Sequence, residues 1–170
     1  MKLSFASATE SDVPELAALH TAVAEELTKR YGPGAWSVST SERSILTKMH
    51  KPKFSRTLIA RGNGRIVGTL RLHTMKPWAI DTAYFTAAKQ PLYLTGMAVH
   101  PNLQGKGVGR LLLKEAEAVA RAWPADAIRL DAYDSAAGAG GFYVTCGFRE
   151  VARILYKKNP LLYFELILSH

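Results

Sequence analysis

Cysteine is almost missing from this chain. Cys146 stands alone among 170 residues, so no internal disulfide and no thiolate cage for zinc can form. The five histidines lack HxxH or HxxxH spacing and no carboxylate cluster accompanies them, so no metal site is expected. Long apolar runs are missing too. None approaches the roughly 18 residues of a membrane span, and the stretch LLYFELILSH is broken by Glu165. The opening MKLSFASATESD reaches Glu10 and Asp12 before any long apolar segment, which argues against a signal peptide. No repeat, low-complexity tract or Pro/Ser-rich linker divides the chain. The expectation is one soluble, cytoplasmic domain over residues 1–170, with no membrane partner.

A dense basic arm is also lacking. The net charge is +8, from 22 basic and 14 acidic residues, which favours an anionic partner. The cations are nevertheless spread over Lys48–Lys53, Arg56–Arg71, Lys106–Lys114 and Arg149–Lys158, with no nucleic-acid reading motif. A solvated basic surface accounts for most of this charge. Nucleic acid is not expected as a partner, whereas a phosphorylated cofactor fits.

Periodicity supplies the elements. A strand over Lys2–Ala6 precedes a helix capped by Thr9 or Ser11, with Leu16, Leu19, Val23 and Leu27 at helical spacing and a stop at Gly32-Pro33-Gly34. A shorter helix fits Thr40–Lys48. RTLIARGNGRIVGTLRLHT reads as two strands joined at Gly62-Asn63-Gly64. Met75–Gln90 reads as an irregular aromatic loop and PLYLTGMAVHP as a strand, followed by a helix from about Val108 to Arg121. DAIRLDAY is a strand, AGAGGFYVTCGF a short helix, and the last segment two strands turning at Asn159-Pro160. The fold class is α/β, with a mixed, mostly antiparallel sheet flanked by helices.

Gly105, Gly107 and Gly109 crowd the start of a helix, where glycine is costly. A P-loop is excluded because Arg110 and Leu111, rather than Lys and Ser/Thr, follow the last glycine, and the dinucleotide fingerprint fails at Arg110. The physics of a strand-to-helix glycine loop remains: amides converge on one point, the helix end adds partial positive charge, and Lys106 and Arg110 add more. A pyrophosphate fits that arrangement.

MAVHPNLQGKGVGRLLL resembles the acyl-CoA-binding core of the GNAT superfamily of N-acyltransferases, with Gln104, Gly107 and Gly109 at its fixed positions. FYVTCGF resembles the family's Tyr-x-x-x-Gly-Phe element, with Tyr143, Gly147 and Phe148 in place. The resemblance is strong over Leu92–Phe148 and otherwise rests on element order. It implies an acetyl-CoA-dependent N-acetyltransferase fold and activity, with the acceptor a small-molecule or peptide amine and a homodimer allowed. The main chain of Met97, Ala98 and Val99 would take the pantetheine arm. Gln104, Gly105, Lys106, Gly107, Val108, Gly109 and Arg110 would hold the pyrophosphate of coenzyme A.

By the same matching, Tyr143 is the catalytic acid that protonates the departing thiolate; a tyrosine hydroxyl is protonated at neutral pH and can donate. Two departures stand out. Tyr93 occupies the position where several members carry a glutamate base, and no base is assigned: Asp131, Tyr133, His73 and His100 each read better as structural. Ala136 stands where the family often has asparagine, with Asp134 or Ser135 beside it as substitutes. Other readings compete. A CoA-binding sensor would keep the glycine loop without needing Tyr143, and another acyl donor would leave the loop unchanged. For the acceptor, the first helices, the Met75–Gln90 loop and the last hairpin are expected to supply the walls. Trp36, Trp78, Tyr84, Phe85 and Tyr163 offer aromatic surface there, and Glu25, Glu26 and Asp81 offer negative charge.

Overall fold

The computed structural model describes residues 1–169, and its contacts group into two compact units. Residues Met1–Leu72 with Thr95–Ala116 form the first; His73–Leu94 with the chain from Glu117 onward form the second.

In the first unit, β1 (Leu3–Ser7) pairs antiparallel with β2 (Ser55–Gly62), from Leu3 opposite Gly62 to Ser7 opposite Leu58. β2 turns into β3 (Arg65–His73) through Asn63 and Gly64, whose φ angles of 53° and 76° are those of a two-residue primed turn. The hairpin predicted from Gly62-Asn63-Gly64 is therefore present. The strands run in the order β1-β2-β3-β4, where β4 (Pro91–Val99) contributes its C-terminal half here. Helix α1 (Val13–Tyr31) starts after a short 3-10 turn in which Asp12 accepts from the Thr9 amide at 2.9 Å. It stops at Gly32, φ 81°. Helix α2 (Glu42–Met49) is capped by Ser41, which accepts from the Ser44 amide at 3.1 Å. Val13, Leu16, Leu19 and Ile45 from the helices bury against Ile59, Ile66 and Ala98 from the strands. Each large side chain so buried contributes about 1.5–3 kcal/mol.

The second unit orders its strands β4-β5-β7-β6. β5 (Ala127–Tyr133) runs parallel to the start of β4, with Pro91, Leu92 and Tyr93 opposite Ala127, Ile128 and Arg129. That ladder ends at Tyr93, whereas β5 continues against β7 (Asn159–Ile167) as far as Tyr133 opposite Leu161. β6 (Arg149–Tyr156) pairs with β7 with a bulge at Glu150/Ala152. The last turn differs from the expectation: Lys157 and Lys158 make it, at φ 47° and 70°, and Asn159-Pro160 already belongs to β7. Pro160 lies just beyond the Leu161 end of the β5 ladder, so its missing N–H breaks no bond on that side.

Glu165 is fully buried on β7 and accepts from the Thr86 amide (3.0 Å), the Thr86 hydroxyl (2.6 Å) and Arg149 (2.6 Å). These donors hold its carboxyl below the usual carboxylate range despite burial. Gly138 packs backbone on backbone: a Cβ there would sit 1.8 Å from the Tyr133 carbonyl oxygen.

Candidate functional site

The glycine loop lies in the first unit, between β4 and α3 (Val108–Ala122). A 3-10 turn over Pro101–Leu103 follows β4; the His100 amide donates to the Val67 oxygen at 2.8 Å and its Nδ1 accepts from the Asn102 amide at 3.2 Å. The Gln104 side-chain amide donates to the Val99 oxygen at 3.0 Å, tying the loop's first residue back to the end of the strand. Gly105 and Gly107 adopt φ 76° and 88°, a region side chains resist, and around a Cβ at either position no heavy atom lies within 4 Å. The concave side of the loop is open. The first helical bond described for α3 runs from the Leu111 amide to the Gly107 oxygen at 3.1 Å, so the amides of Val108 and Gly109 point out of the helix end. Lys106 and Arg110 are exposed beside them. A helix N-terminus with two exposed cations beside it fits a pyrophosphate in charge.

Sequence reasoning missed what holds this loop in place. Gly68 on β3 lets the first turn of α3 come down onto the sheet: a Cβ there would be 3.2 Å from Val108 Cγ1 and 3.5 Å from both the Ala98 oxygen and Leu112 Cδ2. Val108, Leu112, Leu113 and Ala116 are buried behind the loop. Ala98 is buried, and Met97 and Val99 are half-buried, as their strand position predicts.

Over residues 21–148 the chain matches the model of the acetyltransferase (GNAT) family. It belongs to that family. Among solved structures, the ribosomal-protein-S18-alanine N-acetyltransferase of Escherichia coli superposes with a TM-score of 0.74 at 16% identity, covering 99% of this chain and 96% of that one. The PaiA N-acetyltransferase of Thermoplasma acidophilum, solved with coenzyme A, gives 0.73 at 14% identity, covering 96% and 98%. A ribosomal-protein-alanine N-acetyltransferase of Brucella melitensis gives 0.73 at 21%, covering 97% and 99%. These likenesses show a shared fold. No curated protein gives a significant sequence match. No helix of the described residues is long and apolar enough to cross a membrane, and no group of three or more metal-ligating side chains occurs among them.

Tyr143, expected from the sequence to be the acid, lies on α4 (Gly140–Thr145) in the second unit. Its ring is 7% exposed, in contact with Phe142, Phe148 and Phe164 at centroid distances of 5.3, 5.7 and 5.9 Å. Burial, then the charges of Asp131 and Cys146, push its phenol well above its ordinary value, so the hydroxyl stays protonated. Of the residues weighed as bases, His73 is buried beside Tyr93, with ring centroids 6.3 Å apart, and His100 caps the turn already described. Burial raises the carboxyl of Asp131; burial and Asp131 raise the phenol of Tyr133. Asp134 faces Arg153 at 3.8 Å, and Ser135 sits exposed at the turn whose oxygen accepts from the Gly138 amide.

The aromatic residues separate by role. Phe85 and Tyr163 are core, stacked at 5.1 Å, and the Tyr163 hydroxyl accepts from the Asp81 amide at 3.1 Å. Trp78 is 91% exposed and, with Tyr84, Leu155 and Arg153, rims an open hollow of about 400 Å³. Trp36 donates to the Gly32 oxygen at 2.9 Å. Of the acidic residues, Glu26 faces Arg30 at 3.2 Å, Glu25 is exposed, and Asp81 caps a 3-10 turn through the Ala83 amide.

Proposed function

We propose that this GNAT acetyltransferase acetylates a small-molecule or peptide amine, with the Gln104–Arg110 loop holding acetyl-CoA and Tyr143 acting as general acid. That the chain is an acetyl-CoA-dependent N-acetyltransferase follows from its family. The roles of individual residues rest on loop geometry and motif position. Acetyl-CoA supplies a thioester whose acetyl group passes to a neutral amine. The chain's part is to bind, orient and move one proton. Amides of Gly105 to Gly109 meet the pyrophosphate, Lys106 and Arg110 balance its charge, and Gln104 keeps the loop against β4. The main chain of Met97–Val99 takes the pantetheine arm, beyond the point at which the parallel ladder ends at Tyr93. As the amine nitrogen bonds to the acetyl carbon and the C–S bond breaks, the Tyr143 hydroxyl would give its proton to the sulfur, and the proton shed by the nitrogen would pass to the phenolate or to solvent.

The single observation carrying this reading is the loop: two glycines at positive φ with open space where side chains would stand, leading into a helix N-terminus flanked by cations. Thiol release from acetyl-CoA across an amine panel tests it. At least one amine should give enzyme-dependent thiol together with its acetylated product. Acetyl-CoA binding with no turnover by any amine class would instead support a CoA-binding sensor.

A further inference from the structure

Three basic side chains far apart in sequence converge in the first unit. Arg71, half-buried on β3, donates to the Thr95 hydroxyl on β4 at 3.1 Å and to the Ser55 hydroxyl on β2 at 3.4 Å. Those neutral partners use two of its five N–H donors and none of its charge. Lys48, exposed on α2, disfavours the charge on His20 of α1 and is itself disfavoured by that of Arg71. His20 in turn reaches β4, its Cε1 lying 3.9 Å from where a Cβ on Gly96 would stand. Gly96 itself is exposed at φ 62°, a left-handed kink just after Thr95 and just before the Met97–Val99 segment.

No acid offsets this group. The ion pairs of the described residues in this unit join Glu26 to Arg30, Glu10 to His50, and Asp12 and Glu15 to Arg61; His20, Lys48 and Arg71 take part in none. Burial works against the charge on all three, and for His20 and Lys48 the neighbouring cation adds to it. Partly desolvated cations gathered without a carboxylate cost stability unless something anionic joins them. α1 and α2 are the helices expected to wall the acceptor.

We propose that the amine acceptor carries a compact oxyanion, a carboxylate or a phosphate, which docks on Arg71 with Lys48 and His20 around it. The inference rests on the acetyltransferase reading and narrows its substrate class. The Arg71 fork matches two oxygens of either anion, Lys48 supplies a second charge, and His20 adds a ring N–H. The hydroxyls of Ser55 and Thr95 hold the guanidinium in place. Neutral amines and polyamines would leave the cluster uncompensated.

Matched acceptor pairs test this: L-phenylalanine against phenethylamine, glycine against methylamine, and phosphoethanolamine against ethanolamine. Each is assayed for thiol release and, with CoA-loaded protein, for thermal stabilisation. The anionic member of at least one pair should be preferred by at least about tenfold in kcat/KM, the range of a charge-assisted contact. That ratio should collapse in Arg71→Gln and shrink in Lys48→Gln, a surface change on α2 that leaves the core intact. Preference for a phosphate pair alone, or for a carboxylate pair alone, identifies which oxyanion is used. Turnover of neutral or cationic amines with no anionic preference overturns the inference and leaves the acetyltransferase reading standing. Should no amine turn over, the stabilisation arm decides. Greater stabilisation by the anionic members, lost in Arg71→Gln, supports the site, and equal stabilisation in wild type and variant overturns it.

Discussion

Gly107 and Gly109 lie two residues apart, yet alanine should act on them in opposite directions. Gly107 holds φ 88°, and a methyl group there meets nothing within 4 Å, so the only cost in the free protein is conformational. Left-handed backbone costs an L-residue about 1–2 kcal/mol, and stiffening the unfolded chain returns about 0.4–1 kcal/mol. Gly107→Ala should therefore lose up to about 1.6 kcal/mol, or up to about 6 °C in Tm for a chain of this size. Gly109 is the second residue of α3 and is not among the positive-φ glycines, so alanine there gains helix propensity of up to about 1 kcal/mol. Under the proposed function, a bulky side chain at either position would hinder the approach of the pyrophosphate to the amides. Urea unfolding without ligand and calorimetric titration with acetyl-CoA separate the two effects. Gly109→Ala should be at least as stable as wild type, whereas a bulky residue, Gly107→Leu or Gly109→Leu, should in the folded variant bind acetyl-CoA at least about tenfold more weakly, a loss of about 1.4 kcal/mol. A folded Gly109→Leu with unchanged affinity would refute the placement of the pyrophosphate against the helix end.

Three further perturbations follow from the same physics. Tyr143→Phe keeps the aromatic packing and removes the proton donor. Its kcat should fall by about 10²–10⁴-fold with acetyl-CoA affinity nearly unchanged, and a wild-type rate with chemistry rate-limiting would rule out the acid role. Gly68→Val pushes into Val108 and the Ala98 oxygen, and overpacking of this kind costs about 1–3 kcal/mol; weaker acetyl-CoA binding should accompany the lower Tm. The Glu165 carboxyl is held down in the folded state. Its contribution is therefore present above the unfolded carboxylate value near about 4.3 and is lost as pH falls through the lower folded value. Glu165→Gln should flatten that acidic decline in denaturant titrations and lower stability at neutral pH; an unchanged acid slope contradicts the assignment.

Local chemistry was readable and distant convergence was not. The β2–β3 turn could be read because Asn63-Gly64 is itself the turn, and the glycine loop before α3 because its glycines and helix start are contiguous. The last turn was misplaced by two residues because Asn159-Pro160 is the stronger local signal, while Lys157 and Lys158 adopt positive φ under the pairing of Tyr156 with Asn159. Gly68 looked like an ordinary strand glycine, since its meaning is a helix approaching from 40 residues further along the chain. His20, Lys48 and Arg71 carry no motif. Only the packing of α1 and α2 against the sheet gathers them, with His20 and Arg71 half-buried and Lys48 at the surface.

Gly138 bears on how a substitution scan of this enzyme should be interpreted. With the Tyr133 oxygen 1.8 Å from any Cβ, every side chain at 138 forces the β5–α4 connection apart, whereas the site at Gly141 has no atom within 4 Å. Two glycines three residues apart on one loop-helix segment would then score at opposite extremes of tolerance. The intolerance at 138 is one of backbone packing. A fitness map would mark 138 as strongly as a residue proposed to act chemically, such as Tyr143. Only a measurement that separates protein abundance from turnover per molecule tells the two kinds of constraint apart.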